Sequence, residues 1–162
     1  MAKQFKDYTL KEYLDQLSRR EPVPGGGSAA ALSSALGAGL ISMAANYSLG
    51  KHGSKKIDAR LQKILTESEQ IRRRLLELVD SDARAYLNVV RSWKLDDKAR
   101  KVASRQARQI PLQVCRLSYK AVSLTPILIQ YGNCHLLSDV KVAIELLFAG
   151  FNSANVMVKI NS

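Results

Sequence analysis

The sequence predicts an all-α protein, a single-domain bundle of long helices. Apolar residues recur at steps of three and four over long stretches, and the capping signals along the chain are those of helices. Ala, Leu, Lys, Arg and Gln are plentiful, while runs of aromatic and β-branched residues are scarce. The 162 residues suffice for one domain with a core, so residues 1–162 are treated as one unit without strands.

The first predicted helix is short and begins after Thr9. Thr9 followed three positions later by Glu12 has the spacing of a capping box, in which each side chain accepts a hydrogen bond from the other residue's backbone. The apolar side of this helix carries Leu10, Tyr13, Leu14 and Leu17.

The second predicted helix begins at Ser28 and ends near Gly50. Residues 28–49 carry no charge and are numerous enough to span a bilayer. Most of them are Ala, Ser and Gly, which favours a central helix packed closely on all sides over a membrane span. Such small residues are also common where two subunits meet, so we expect the bundle to dimerise through helix faces.

A very long third helix is predicted from about Asp58 to Trp93. Its inward stripe advances by three or four residues throughout, as a helix requires. The stripe consists of Leu61, Ile64, Ser68, Ile71, Leu75, Leu78, Asp82, Tyr86, Val89 and Trp93.

The fourth helix is predicted to begin at Asp96 or Asp97, either of which can cap it. It continues to about Ser123. We expect a kink at Pro111, because proline removes one helical hydrogen bond and its ring clashes with the preceding turn.

Two further helices complete the prediction. Thr125-Pro126 opens a short one, since proline suits the first helical position, and Gly132-Asn133 ends it. Ser138 or Asp139 begins the last, which reaches nearly to the C-terminus.

The formal net charge of +11 implies an acidic partner. Nucleic acid, an anionic membrane surface and a polyanionic small molecule all satisfy it. Lysines and arginines are spread along several predicted helices without a nucleic-acid-binding motif, so nucleic acid is the less favoured partner.

The cysteines and the N-terminus suggest a reducing compartment. Cys115 and Cys134 form no CxxC pair, which fits neither a zinc site nor a disulfide framework, and we expect both to be buried thiols. The first ten residues lack the apolar region of a signal peptide, so the expected location is the cytoplasm.

The segment Pro24, Gly25, Gly26, Gly27 and Ser28 is the first candidate binding element. Three consecutive glycines lose much conformational entropy when ordered, so such a loop usually exists because side chains would be in the way. Here it delivers unpaired backbone N–H groups to the start of a helix, which suits an anion. A tight crossing of two backbones explains the glycines equally well.

Asp82 is the candidate for chemistry, since it lies on the predicted buried stripe, where a carboxylate is costly unless it is paired or used. The alternative is a buried polar residue satisfied by a neighbouring Arg or backbone group. Asp80 is rotated about 200° away by helix geometry, and we expect it on the surface, where it can pair with Arg84.

The remaining candidates are individually weak. Lys51 opens a basic turn over residues 51–56, Asn133 is a common helix-end residue, and Asp139 is a common cap. The histidines lack metal-ligand spacing, and no GxSxG nucleophile motif is present.

Taken together, these residues resemble the cyclodeaminase/cyclohydrolase family, which comprises the C-terminal domain of formimidoyltransferase-cyclodeaminase and related bacterial methenyltetrahydrofolate cyclohydrolases. The resemblance covers about residues 5–161, and its strongest part is PGGGS at 24–28 followed by the Ala-rich helix and Gly50-Lys51. The supporting segments are VDSDARAY at 79–86, IPL at 110–112, GN at 132–133, SDVKVA at 138–143, NV at 155–156 and IN at 160–161. PGGGS alone is modest evidence, whereas the ordered set is specific.

The resemblance implies an all-helical domain that dimerises and acts on the one-carbon unit bridging N5 and N10 of tetrahydrofolate. It implies that Asp82 is the catalytic aspartate and that the amides of residues 25–28 hold a carboxylate or a pterin oxygen. Lys51 suits a polyglutamate tail, and Asn133 and Asp139 join the substrate site. No metal or redox cofactor is needed.

Two reactions follow as hypotheses. One is hydrolysis of 5,10-methenyltetrahydrofolate to 10-formyltetrahydrofolate, and the other is cyclisation of 5-formimidoyltetrahydrofolate with release of ammonia. A chain without a fused transferase domain favours the first. The alternatives are a non-catalytic folate-binding or protein-interaction member of the same fold and, less favoured, a basic nucleic-acid-binding helical protein.

Overall fold

Six α-helices make up most of the computed structural model, which describes residues 3–51 and 53–161. They are α1 (Leu10–Leu17), α2 (Gly26–Ser48), α3 (Lys55–Ser92), α4 (Asp97–Val122), α5 (Thr125–Tyr131) and α6 (Leu137–Ile160). Short 3₁₀ turns occupy Phe5–Asp7 and Cys134–Leu136, and the two described ranges contain no strand. The predicted all-α class is therefore confirmed.

The helix ends agree with most of the predicted capping. Thr9 and Glu12 form the capping box, with Glu12 N–H donating to Thr9 Oγ1 at 3.2 Å and Thr9 N–H donating to Glu12 Oε2 at 2.6 Å. Asp96 rather than Asp97 caps α4, accepting a hydrogen bond from the Ala99 N–H at 2.7 Å. The helix continues through Pro111, whose side chain is buried.

The predicted start of α2 at Ser28 is wrong by two residues. The helix begins at Gly26 with Gly25 as its N-cap, and no side chain caps it. Ser28 does not cap because its hydroxyl is fully buried and hydrogen-bonded to the Tyr13 hydroxyl, at 2.9 Å. The N–H groups of the first turn of α2 are therefore not capped by a side chain at the start of the helix.

Helix α2 is the centre of the bundle, with α3 and α6 along its sides and α4 behind it. Its length and mean hydropathy are sufficient for a membrane span, but 61% of its most apolar window is buried within the protein, as in the core helix of a bundle. Small residues permit the close approach of α6: a Cβ added at Gly37 would lie 2.8 Å from the Ala143 carbonyl oxygen. The C-terminal half of α6 meets the N-terminal half of α2, so the two helices run antiparallel.

The α2–α6 contact predicts that Gly150→Ala destabilises the fold. Its Cβ would lie 2.9 Å from the Ala30 carbonyl oxygen and would overlap the Ser34 hydroxyl, so the helices must separate. We expect a loss of about 1–3 kcal/mol, measured by urea unfolding. Gly39→Ala is the matched control, because its Cβ would meet only the Arg72 Cδ, at 3.5 Å, and should not destabilise. Equal stabilities of the two variants would contradict the close-packing account.

The predicted inward stripe of α3 is buried only in its first half. Leu61, Leu75 and Leu78 are fully buried, whereas Tyr86 is 43% and Trp93 62% exposed. The stripe keeps its helical phase, but α3 extends past the core, so its last turns border open space. The prediction for the cysteines is also wrong in part: Cys134 is exposed and Cys115 only half-buried, and both are free thiols.

Candidate functional site

A cavity of about 300 Å³ opens at the N-terminus of α2. Its walls come from the loop before α2, the second half of α3, one residue of α4 and the end of α6. The lining residues are Pro22, Val23, Gly25, Gly26, Gly27, Asp82, Ala85, Tyr86, Val89, Trp93, Ala107, Met157, Ile160 and Asn161. Among the described residues, a single carboxylate therefore faces a mostly apolar space that includes two aromatic rings, the composition typical of a small-molecule site.

The Asp82 carboxyl group lies directly against the first turn of α2. A Cβ added at Gly27 would lie only 2.5 Å from the Asp82 Cγ, closer than real Cβ atoms approach. Neither Gly25 nor Gly26 is under this constraint. A Cβ added at Gly25 would meet no atom within 4 Å, and one added at Gly26 would make an ordinary contact with the Met157 Sδ at 3.8 Å. Of the three glycines, Gly27 is the one whose missing side chain makes room for the carboxylate.

Two opposing effects set the proton affinity of Asp82. Burial disfavours the charged form and raises the pKa of the carboxyl above its usual value, while a hydrogen bond from the Ser28 backbone N–H lowers it. Burial is the larger effect. The positive end of the α2 dipole, like the Ser28 N–H, favours the ionised form. Because burial outweighs the hydrogen bond, the Asp82 carboxylate is fixed in position and is more basic than an ordinary surface aspartate.

A buried hydroxyl pair lies behind the first turn of α2. Tyr13 is buried and shares its hydrogen bond with the fully buried Ser28 hydroxyl. Burial is the main cause that raises the pKa of Tyr13, and the charges of Asp82 and Asp80 add to it. This pair fixes the backbone that carries the Ser28 N–H, so α1 positions the first turn of α2.

Asp80 is not the surface residue that its place on the helix predicts. Only 5% of it is exposed, and its carboxylate accepts hydrogen bonds from the Phe5 N–H at 2.8 Å and the Lys6 N–H at 3.1 Å. Arg84 instead donates to the Ser81 hydroxyl. The N-terminal 3₁₀ turn folds over α3 and covers this face, a tertiary contact between residues about 75 positions apart that periodicity cannot reveal.

Asp80→Asn should therefore destabilise the protein by about 1–3 kcal/mol, because an amide can accept only one of the two N–H groups and presents an NH₂ to the other. The midpoint of urea unfolding measures this. Asp7→Asn is the control, since Asp7 is exposed and its carboxylate accepts no hydrogen bond within the described residues. An unchanged midpoint for Asp80→Asn would show that the contact with the 3₁₀ turn is not stabilising.

The structure unites only part of the predicted site. Gly25, Gly26 and Gly27 line the cavity with Asp82, whereas Pro24 and Ser28 are buried beside it and do not line it. The aromatic lining, Tyr86 and Trp93, was assigned to the core from the stripe and is a missed part of the site. The sequence feature that could have placed both rings in the site is that the apolar stripe of α3 continues beyond the carboxylate of Asp82.

The other predicted site residues lie at the opposite end of α2, about 30 Å away along the helix axis. Lys51 follows the end of α2, with its ammonium 6.0 Å from the centre of the Tyr47 ring. The Asn133 N–H donates to the Ser48 hydroxyl at 2.8 Å, and Asp139 is in the first turn of α6, which begins nearby. One chain therefore does not place these three residues around Asp82. The neighbouring His52 lies outside the described residues.

The fold and the cavity define an all-α domain in which a carboxylate at a helix N-terminus lines a mostly apolar cavity. Within the described parts of the chain, no three His, Cys, Asp or Glu side chains are grouped as a metal site. The chain belongs to the formiminotransferase-cyclodeaminase family, whose model matches residues 9–162. This confirms the resemblance found in the sequence.

The relatives include both activities of that family. A methenyltetrahydrofolate cyclohydrolase from Methylorubrum extorquens is 35% identical, over 95% of this chain and 79% of its own length. A formimidoyltransferase-cyclodeaminase from Rattus norvegicus is 30% identical over 96% of this chain, which spans 30% of that longer protein. The crystal structure of a formiminotetrahydrofolate cyclodeaminase from Thermotoga maritima superposes with a TM-score of 0.91 at 29% identity, covering 95% of this chain and 78% of that one.

Proposed function

We propose that this protein hydrolyses 5,10-methenyltetrahydrofolate to 10-formyltetrahydrofolate. The observation that carries the proposal is the Asp82 carboxylate, held at the N-terminus of α2 inside a cavity with aromatic walls. The cyclohydrolase relative supports hydrolysis by its 35% identity, while this chain covers 79% of that relative and 78% of the cyclodeaminase structure.

The chemistry required is within the reach of one carboxylate. The methenyl bridge is an electron-poor amidinium cation, which the Asp82 anion stabilises by charge. Asp82 takes a proton from water as the water oxygen bonds to the bridge carbon. The carbon–N5 bond of the resulting adduct then breaks, N5 gains one proton, the second is released to solvent, and the formyl group stays on N10. This sequence uses neither metal nor redox cofactor.

Cyclisation of 5-formimidoyltetrahydrofolate is the second candidate, favoured by the pKa of Asp82. In that reaction N10 attacks the formimidoyl carbon, and a protonated acid must supply the proton with which ammonia leaves. A carboxyl whose pKa is raised by burial holds that proton to a higher pH than an ordinary aspartate.

The pH dependence of the rate separates the two reactions. Hydrolysis needs the ionised carboxylate, so its rate is lost as the pH falls through the raised pKa of Asp82. Deamination needs the protonated acid, so its rate is lost as the pH rises through the same pKa. Loss of the near-ultraviolet absorbance of the methenyl bridge follows hydrolysis, and ammonia release follows deamination. If the purified protein accelerates neither reaction above buffer, the proposal fails.

We further propose that the protein is a homodimer of the cytoplasm that pairs through α2. The outward stripe of α2 is uncharged and consists of Leu32, Ala35, Leu36, Gly39 and Leu40. It lines a mostly apolar groove together with Arg72 and Leu76 of α3 and Leu146 of α6. Because each copy carries a net charge of +11, two copies can approach most easily where charge is missing. A two-fold axis across α2 with the helices antiparallel would bring Lys51, Asn133 and Asp139 of a second copy towards the Asp82 cavity.

Leu36→Glu tests this pairing, because Leu36 is 52% exposed on the stripe and the charge should separate the copies without unfolding either. Light scattering is expected to show a dimer for the wild type and a monomer for the variant. Tyr119→Glu, at a position 74% exposed on α4, should remain dimeric. A monomeric wild type at micromolar concentration would overturn the proposal.

A further inference from the structure

Tyr13 is the one buried residue of α1. Leu10 and Leu14, the large apolar side chains beside it, are both exposed. The Tyr13 hydroxyl reaches the fully buried Ser28 hydroxyl of α2, at 2.9 Å. Because a helix of eight residues with exposed leucines buries little apolar surface, packing alone does not explain why it places a hydroxyl in the interior.

The first turn of α2 has little of its own to hold it in place. Gly26 and Gly27 open the helix, and the N-cap Gly25 has no side chain with which to cap it. Glycine leaves the backbone its greatest conformational freedom. Ser28 is the first residue of α2 with a side chain, so its hydroxyl is the first point at which a neighbouring element can fix this turn.

The Asp82 carboxylate depends on the same turn. It accepts a hydrogen bond from the Ser28 backbone N–H, and it occupies the space that a side chain at Gly27 would fill. The hydroxyl that contacts α1 and the N–H that contacts the carboxylate belong to one residue. A movement of the Ser28 side chain therefore moves the donor on which Asp82 rests.

Few ionisable groups face Asp82 in the described parts of the chain. Tyr13 comes from α1, and Asp80 and Tyr86 come from the same helix as Asp82, while the cavity residues of α2, α4 and α6 have no ionisable side chain. Burial raises the pKa of Asp82 and the Ser28 N–H lowers it, with no charged side chain among the causes. The position of this N–H therefore controls how basic the carboxylate is.

We propose that Tyr13 is a positioning residue for the one-carbon reaction, because its hydroxyl holds Ser28 and thereby keeps the Ser28 N–H on the Asp82 carboxylate. The inference rests on the proposed function. It gives α1 a part in the reaction, although no residue of α1 lines the cavity. Without the Tyr13 hydroxyl the turn loosens, so the ionised carboxylate loses part of its hydrogen bond and its fixed place.

Tyr13→Phe tests this role by two measurements. The rate constant kcat should fall about tenfold, since the carboxylate is less well placed. The pH at which the rate is lost should rise for either reaction, because a weaker hydrogen bond raises the pKa of Asp82 further. Carboxyl ¹³C NMR, with the Asp82 signal assigned by Asp82→Asn, should show the same rise without any substrate.

Ser68→Ala is the matched control. Ser68 forms another buried hydroxyl pair with α2, through Ser42 at 2.8 Å, and Ser42 is about 21 Å from Ser28 along the helix axis. Its loss should lower the unfolding midpoint, as Tyr13→Phe does. It should leave kcat and the pKa of Asp82 unchanged.

The double variant Tyr13→Phe/Ser28→Ala separates positioning from a loss of stability. Removing one hydroxyl leaves the other buried without a partner, whereas removing both should return the unfolding midpoint towards wild type. If Tyr13 is a positioning residue, kcat stays low and the pKa of Asp82 stays raised in the double variant.

Two results would overturn the role of Tyr13. One is recovery of kcat and of the pKa of Asp82 together with stability in the double variant, and the other is an unchanged pKa of Asp82 in Tyr13→Phe. A wild type that catalyses neither reaction, with an NMR titration that shifts as expected, would refute the proposed function and leave the Tyr13 contact supported.

Discussion

Asp82→Asn is expected to lower kcat for the one-carbon reaction at least about 100-fold, the usual contribution of a positioned acid or base. The amide keeps the size of the side chain but can neither take a proton from water nor supply one to ammonia. Since it also lacks the charge that stabilises the methenyl cation, kcat/KM should fall as well. Steady-state kinetics on the methenyl bridge measures both.

The same substitution should leave the fold as stable as before, or more so. The folded protein raises the pKa of Asp82, so the ionised carboxylate costs stability at pH values above the folded-state pKa. The cost fades as the pH falls from the folded-state pKa to the lower unfolded-state value, where both states are protonated. Thermal unfolding should therefore show Asp82→Asn at or above wild type at neutral pH, with the gap closing in acid.

This pairing of lost activity with kept stability distinguishes a catalytic aspartate from a structural one. If Asp82 were a buried polar residue satisfied for the sake of the fold, Asp82→Asn would lower the unfolding midpoint as Asp80→Asn is expected to do. Full activity in Asp82→Asn would remove Asp82 from the mechanism altogether.

Gly27→Ala is expected to disrupt the site from the α2 side, where residue 27 faces the Asp82 carboxylate of α3. Its Cβ would stand 2.5 Å from the Asp82 Cγ and 2.7 Å from its Oδ2, so either the carboxylate or the first turn of α2 must move. Overpacking of this kind costs about 1–3 kcal/mol, and a carboxylate displaced by an ångström loses about 100-fold in rate. The midpoint of thermal unfolding and kcat should both fall.

Gly26→Ala, one residue earlier in the same loop, is the control for stability. Its Cβ would make an ordinary contact with the Met157 Sδ at 3.8 Å, and Ala in a helix is favoured over Gly by up to about 1 kcal/mol. This variant should melt at or above the temperature of the wild type. If Gly27→Ala is as stable as Gly26→Ala, the absence of a side chain at residue 27 is not needed to make room for the Asp82 carboxylate.

Local signals in the sequence located the helices well, because caps and apolar periodicity act over a few residues. Thr9 and Asp96 cap their helices as predicted, and Gly132 ends α5, although with an extended backbone. The start of α2 was missed because Ser28, an ideal cap by type, is drawn into a buried pair with Tyr13. A side chain cannot cap a helix and satisfy a distant hydroxyl at once.

The sequence by itself determined the helical class and the family, and it singled out Asp82 as a candidate, since a carboxylate on an apolar stripe is visible without coordinates. Only the tertiary structure decided which groups meet it. The packing of α2 against α3 sets Gly27 against Asp82, and the folding of residues 5–7 over α3 buries Asp80. The length of α2 keeps Lys51 and Asn133 away from Asp82. The physical reason is that a helical sequence fixes the direction in which each side chain points, whereas long-range packing chooses what lies in that direction.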